Sequence, residues 1–189
     1  MIQYRSAVQS YARNGIDYLF HNKGSEHALI ILSNIFQNAQ DTVRIAANKL
    51  FNDEVVNTHE YIASMESFLS KKDSRLQIII EQKPTKDEVL KHGKENTFYW
   101  MLFNHPAYRQ GRVEIREGQG KSFKDPNGNK VNFCTGDNVM FRLENDVIER
   151  KAVANFHDPD FTAQLVDVFD QAFASIPSTV DLSEYYCNQ

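Results

Sequence analysis

The chain has 189 residues, 41% of them hydrophobic and 24% charged, which suits one soluble globular domain with a sizeable core. Its net charge of −4 excludes a global basic field that would draw in nucleic acid or anionic lipid, so such ligands are left only local patches. The two cysteines, Cys134 and Cys187, exclude a disulfide scaffold and read as reduced thiols. Met1 to Ser6 lack the basic-then-apolar pattern of a signal peptide, and the longest apolar run, Ala28 to Leu32, is far too short to span a bilayer. The expectation is a cytoplasmic protein with no membrane segment.

Residues 1–24 are weakly patterned and read as an N-terminal extension, a strand or short helix packed on the core. Gly24-Ser25 opens a helix with Ser25 as its cap. Leu29, Leu32, Ile35, Phe36 and Ala39 recur along it as one apolar stripe. Thr42 to Leu50 reads as a buried strand. Asn52-Asp53-Glu54 place a cap and negative charge at the next helix start, where the dipole favours them. The buried face of that helix is Val55, Ile62, Met65, Phe68 and Leu69. Arg75 to Gln82, with Ile78-Ile79-Ile80, is a second buried strand. Two strands apolar on both faces and separated by a helix predict a parallel β-α-β unit covered by helices.

Thr85 to Glu88 form a capping box for a third helix that runs toward Asn104-His105-Pro106, with Gly93 weakening its middle. From Gly111 the apolar period becomes two. Val113 and Ile115, then Val131 and Phe133, then Val139, Phe141 and Leu143 each alternate with polar neighbours, and Arg150 to Phe156 adds a further strand. Asp125-Pro126-Asn127-Gly128 is a strong turn signal between the first two. The last helix is capped by Asp158, started by Pro159 and stopped by Pro177. Its stripe is Phe161, Leu165, Val168, Phe169, Ala172, Phe173 and Ile176. The expected organisation is an α/β domain over 25–176 with a tail over 177–189, docked or loose.

The order of these elements, with Ile31 to Ala46 as a helix running into the first core strand and Glu149 to Phe169 as a strand followed by a helix, resembles one unit of the phospholipase D superfamily. The resemblance covers roughly residues 25–176. It implies a mixed sheet covered by helices, and a homodimer in which two units share one site. The signature of that family is H-x-K-x-x-x-x-D with a Gly-Ser pair further on. The histidine attacks phosphorus and the lysine stabilises the oxyanion. Anchored on Asp137, the histidine falls at Lys130, the lysine at Asn132 and the Gly-Ser pair at Glu144-Asn145, while Glu149 keeps the acidic residue that commonly follows. A protonated lysine cannot attack phosphorus, Asn132 brings no positive charge, and Glu144 repels a phosphodiester. The resemblance therefore implies a degenerate site without phospholipase or nuclease chemistry by this route.

Gly118-Gln119-Gly120-Lys121-Ser122 looks like the end of a P-loop, but Ile115 stands where the first glycine belongs and a turn follows in place of a helix. The histidines, His21, His27, His59, His92, His105 and His157, show no metal-ligand spacing, so neither metal nor cofactor is expected. Lys121, Lys124 and Lys130 cluster with Phe123 around one hairpin, a candidate contact for phosphate or single-stranded nucleic acid, although such residues more often form a solvated rim. Three functions follow. The first is a non-catalytic binding or structural subunit with an unknown protein partner, within a microbial nucleic-acid-processing or defence system. The second is a nucleic-acid binder using the former phosphate cleft. The third is a phosphodiesterase with an atypical site.

Overall fold

The computed structural model describes residues 1–91, 95 and 97–186. Gly93, expected inside the third helix, His92 and Cys187 lie outside the described residues. The chain begins with helix α1 (Ile2–Asn14) and strand β1 (Phe20–Lys23), then runs α2 (Ser25–Asn38), β2 (Thr42–Ala47), α3 (His59–Leu69) and β3 (Arg75–Ile80). Three short helices follow, α4 (Lys86–Lys91), α5 (Phe98–Asn104) and α6 (Pro106–Arg109). Strands β4 (Val113–Glu117), β5 (Asn132–Gly136), β6 (Met140–Asp146) and β7 (Lys151–Asn155) precede α7 (Pro159–Ser175) and the short α8 (Ser183–Tyr186).

The seven strands form one sheet in the order β1-β7-β6-β5-β2-β3-β4. Strands β2, β3 and β4 run parallel, and every other pairing is antiparallel. The mixed sheet is as expected, and the parallel part is the piece built by helix crossovers. One face carries the main core. Val43, Ile45, Leu76, Ile78, Val113 and Ile115 meet α2 and α3 through Ile31, Ile35, Phe36, Ile62, Met65 and Phe68. The other face has a smaller cluster, in which Ala46, Ile79 and Phe133 meet Phe169 and Phe173 of α7. Burying each of those two rings contributes roughly 1.5–3 kcal/mol.

Several helices differ from the sequence expectation, two of them because a polar side chain read as the cap is engaged elsewhere. The cap of α2 is Gly24 (φ 83°), not Ser25, whose hydroxyl donates to Glu54 at 2.6 Å. Helix α3 starts at His59 rather than near Asn52. Thr58 is its cap, and Asn52 instead accepts the Val55 amide at 2.8 Å in a preceding turn. The third helix divides in three. The capping box holds, with the Thr85 amide donating to Glu88 at 2.8 Å and the Glu88 amide donating to Thr85 at 3.2 Å. Thr97 then caps α5, and Pro106, with no amide hydrogen, opens α6. On α7 the buried line is Thr162, Val166, Phe169 and Phe173, so Val168, placed in the stripe by spacing, points away and is 50% exposed.

The sheet edges are treated differently. Beyond β4, the Glu117 amide donates to the Ser178 carbonyl at 3.0 Å and the Val180 amide to the Ile115 carbonyl at 2.8 Å, so the chain after α7 closes that edge. Val180, Leu182 and Tyr185 of this stretch are buried. At the opposite edge, β1 pairs with β7 through four residues. No described helix is long and apolar enough to cross a membrane.

Candidate functional site

Two register rows across the main-core face define the floor of a cleft. One row runs Phe20, Ala154, Arg142, Cys134, Ile45, Ile78, Ile115, with a single charged residue among apolar and small ones. The row above it contains Asn22, Ala152, Glu144 and Asn132. Alanines at 152 and 154 leave space that larger side chains would fill. The cleft lies at the carboxyl ends of β2 and β3, where open α/β sheets hold ligands, and has a volume of about 380 Å³. Its walls come from Ser25, Ala28 and Leu32 of α2, Tyr61 of α3, and the loop carrying Lys49, Phe51, Val55 and Val56.

The charged side chains lining the cleft are paired. Lys130 Nζ reaches Glu81 at the end of β3 at 2.8 Å, and the Glu81 side chain is only 10% exposed. Lys49 binds Glu88 at 2.7 Å, and this contact with the Thr85 amide pulls the Glu88 carboxyl down to about 2. Arg150 binds Glu54 and Ser25 at the rim. Hydrogen bonds from Ser25 first and Arg150 second hold the Glu54 carboxyl below its usual range. Arg142 is buried on the floor. Its Nη2 meets Glu144 at 3.2 Å and its Nε meets Asn22 at 3.3 Å, while Asn132 donates to the other oxygen of Glu144 at 2.8 Å. Cys134 sits beside Arg142 on the floor, and burial pushes its thiol up to about 12, which keeps it protonated and non-nucleophilic.

Of the residues singled out from sequence, the fold brings Lys130, Asn132 and Glu144 together in the cleft. The others lie outside it. Asp137 is in the β5–β6 turn at the far end of β5. Its carboxylate accepts the amides of Gln40, Asp41 and Thr42 at 2.8–3.2 Å, tying the α2–β2 junction. Asn145 is the extra residue where the β6–β7 register shifts, and it is exposed. Glu149 pairs with Lys23 at 2.7 Å on the surface. Lys121 and Lys124 are exposed on the hairpin. Phe123 packs edge-on against Phe133 at 5.0 Å, so its ring is part of the second cluster and not a free stacking platform. The glycine-rich stretch wraps β3. The Gly118 and Gly120 amides donate to the Ile80 and Glu81 carbonyls at 2.8 Å, which leaves them engaged and unavailable for a phosphate.

None of the five described histidines lines the cleft. His105 caps α6 by accepting the Ala107 amide at 3.1 Å, and burial lowers its pKa. The His27 ring packs at a tilt of 58° against Tyr4, with centroids 4.3 Å apart. No described group of three or more His, Cys, Asp or Glu could hold a metal ion. Sequence reasoning missed Arg142 and Glu81. A charge ending the Ile78-Ile79-Ile80 run was the available signal for Glu81, because strand carboxyl ends are where sites form. Arg142 gave no such signal, since alternation assigned its face to solvent.

No protein-family model matches the chain, and no curated protein matches it in sequence. Solved structures do match in fold. One is TrmBL2, an archaeal chromatin protein whose structure shows a novel mode of DNA binding, at TM-score 0.62 and 12% identity. That match covers 95% of this chain and 62% of TrmBL2, so this chain spans less than two thirds of that relative. Another is Nuc, a phospholipase D family member from Salmonella typhimurium, at TM-score 0.52 and 11% identity over 85% of this chain and 97% of Nuc. A third is phosphatidylserine synthase from Haemophilus influenzae Rd KW20, at TM-score 0.54 and 13% identity over 89% of this chain and 40% of that one. The fold is phospholipase D-like, a single domain with a mixed seven-stranded sheet.

Proposed function

We propose that the chain is a non-catalytic binding protein built on a phospholipase D-like fold, in which the cleft at the ends of β2 and β3 holds a ligand without cleaving it. The observation that carries this reading is the occupancy of the cleft floor. On the motif alignment anchored on Asp137, Lys130 and Asn132 take the places of the nucleophile and the phosphate-binding lysine, and both side chains are engaged by carboxylates, Glu81 and Glu144. An ammonium bound at 2.8 Å to a buried carboxylate offers no lone pair to phosphorus. Glu144 adds negative charge where a phosphodiester would need cations. The family dimer brings two such clefts face to face, and a homodimer across this face is part of the proposal, as is a protein partner in a microbial nucleic-acid-processing or defence system.

Two measurements test it. Incubation with a chromogenic phosphodiester should give no turnover above that of a Lys130→Ala, Asn132→Ala double variant. Turnover abolished by those substitutions would refute the non-catalytic reading. Affinity capture of the tagged chain from its host, with and without nuclease, should retain a protein partner after digestion. Loss of all captured material on digestion would favour the second reading, a nucleic-acid binder. That reading is supported by the exposed Lys121 and Lys124 on the hairpin that ends at Lys130, and by the DNA binding of TrmBL2. It requires affinity that falls steeply with salt.

A further inference from the structure

Resting on the reading of the cleft as a binding site, we propose that its ligand is a small zwitterion. Arg142 takes a carboxylate and Glu144 takes an ammonium one carbon away, the arrangement of a free α-amino acid.

Arg142 differs from the other three cations of the cleft. Lys49 and Lys130 are held by carboxylates at 2.7 and 2.8 Å and are 31% and 52% exposed. Arg150 is bound at the rim by Glu54 and Ser25. Arg142 is buried, with its side chain 5% exposed, yet its two protein contacts are 3.2 and 3.3 Å long. Charge-assisted hydrogen bonds are normally ~2.7–2.9 Å. A guanidinium has five donors in a rigid fork, and among the described residues only Nε and Nη2 have protein partners. Asn22, which accepts from Nε, leaves its own buried Nδ2 without an acceptor. A desolvated, loosely held guanidinium on the floor of an open cleft is a receptor for a planar oxyanion.

A simple anion does not complete the site. Glu144, 14% exposed, lies 3.2 Å from Nη2, and an anion on Arg142 would sit beside that carboxylate in a poorly solvated floor. A simple cation meets the converse problem at Arg142. A ligand bearing both charges on adjacent groups satisfies the pair without leaving either member uncompensated, and its net charge of zero suits a floor already neutral. The α-amino acid has that spacing. Ala28, Leu32 and Val56 supply an apolar wall for its side chain, and about 380 Å³ lies within the ~300–1,000 Å³ range of small-molecule sites.

The test uses the intact chain. The common amino acids are screened by thermal shift, since a ligand that binds only the folded state raises the melting temperature. The best is then titrated calorimetrically beside its amide, which lacks the carboxylate, its N-acetyl derivative, which lacks the ammonium, inorganic phosphate and glycerol phosphate. The expected result is binding of the free amino acid, with each blocked analogue weaker by about tenfold or more, the size of one lost charged contact. Arg142→Lys should weaken the amino acid by a similar factor while Lys72→Ala, at an exposed residue outside the cleft, leaves it unchanged. Because the analogue series uses the unaltered chain, it decides the matter even if Arg142→Lys fails to fold. An N-acetyl derivative that binds as tightly as the free amino acid overturns the proposal, as does a screen in which no amino acid shifts the transition. Binding of phosphate alone would overturn the zwitterion but leave a non-catalytic binding cleft, whereas phosphodiester turnover would overturn that underlying reading itself.

Discussion

Asp137 is the residue on which the sequence motif was anchored, and the structure gives it a different task that can be measured. Its carboxylate accepts three consecutive backbone amides, Gln40, Asp41 and Thr42, at 2.8–3.2 Å, and its own amide donates to the Thr42 carbonyl at 2.7 Å. Hydrogen bonds to a charged acceptor contribute about 1.5–3 kcal/mol each when shielded. Gln40 and Asp41 are exposed and Thr42 and Asp137 half-buried, so water recovers most of that, and about 2 kcal/mol in total is a reasonable net figure. Asp137 also has φ 51°, a left-handed conformation that costs alanine about 1 kcal/mol more than Asp or Asn. Asp137→Ala should therefore destabilise the fold by about 3 kcal/mol, lowering the melting temperature by roughly 6–12 °C for a domain of this size. Asp137→Asn, which keeps one acceptor and tolerates the backbone, should lose about half as much. Urea unfolding followed by circular dichroism reads both. If Asp137→Ala unfolds within about 0.5 kcal/mol of the parent, a spread typical of surface substitutions, the junction role is wrong. If stability is kept and ligand binding is lost, Asp137 belongs to the site after all.

Gly136→Ala should cost about 1–3 kcal/mol by overpacking, read by the same unfolding midpoint, because the added carbon would meet Ile35 Cγ2 at 2.8 Å and Met140 Cε at 2.9 Å. Cys134 should resist thiol reagents at pH 8 in a Cys187→Ser background until the fold is unfolded by urea, because its thiol is buried and its pKa sits near 12. Rapid labelling of native protein would contradict that placement. Glu88 has a folded pKa of about 2 against an ordinary carboxyl value of 4.5, so the unfolded state binds the proton first as pH falls. The contribution of Glu88 is complete above pH 4.5 and is lost between there and about 2. Glu88→Gln should flatten acid destabilisation in that window, and an unchanged acid limb would refute the assignment to Lys49 and Thr85.

The elements most legible in the sequence are those whose signals are local and uncontested. Ile78-Ile79-Ile80, the Thr85–Glu88 box, the Asp158-Pro159 start and the Asp125 to Gly128 turn all act through neighbours in the chain, and each appears where expected. The start of α3 was misplaced because Asn52 and Thr58 are both capping residues six positions apart, and composition alone does not say which caps a helix and which a turn. The site was less legible for a different reason. Lys130 reaches Glu81 across the end of β2, a contact between residues 49 apart in sequence. Arg142 violates the rule that charged residues in alternating strands face water. Its burial follows from the small residues Ala154 and Cys134 on the neighbouring strands, which no periodicity reveals. Positions 130, 132 and 144 were found through family resemblance, and Asp137, which anchored them, turned out to lie away from them.

The edge strands have a consequence for how such a chain is made. Among the described residues strand β1, at residues 20–23, pairs only with β7 at 151–154, and β4 is sealed by Ser178 and Val180. During vectorial synthesis, at about 5–20 residues per second, the first strand leaves the ribosome roughly 6–26 s before its partner, and the edge of β4 waits several seconds for the segment that covers it. Through that interval the nascent chain displays an unpaired strand, together with Tyr18 and Leu19, half exposed even in the finished fold. Ribosome-associated chaperones would meet the chain at those two edges, and slowing translation should extend the period in which they hold it.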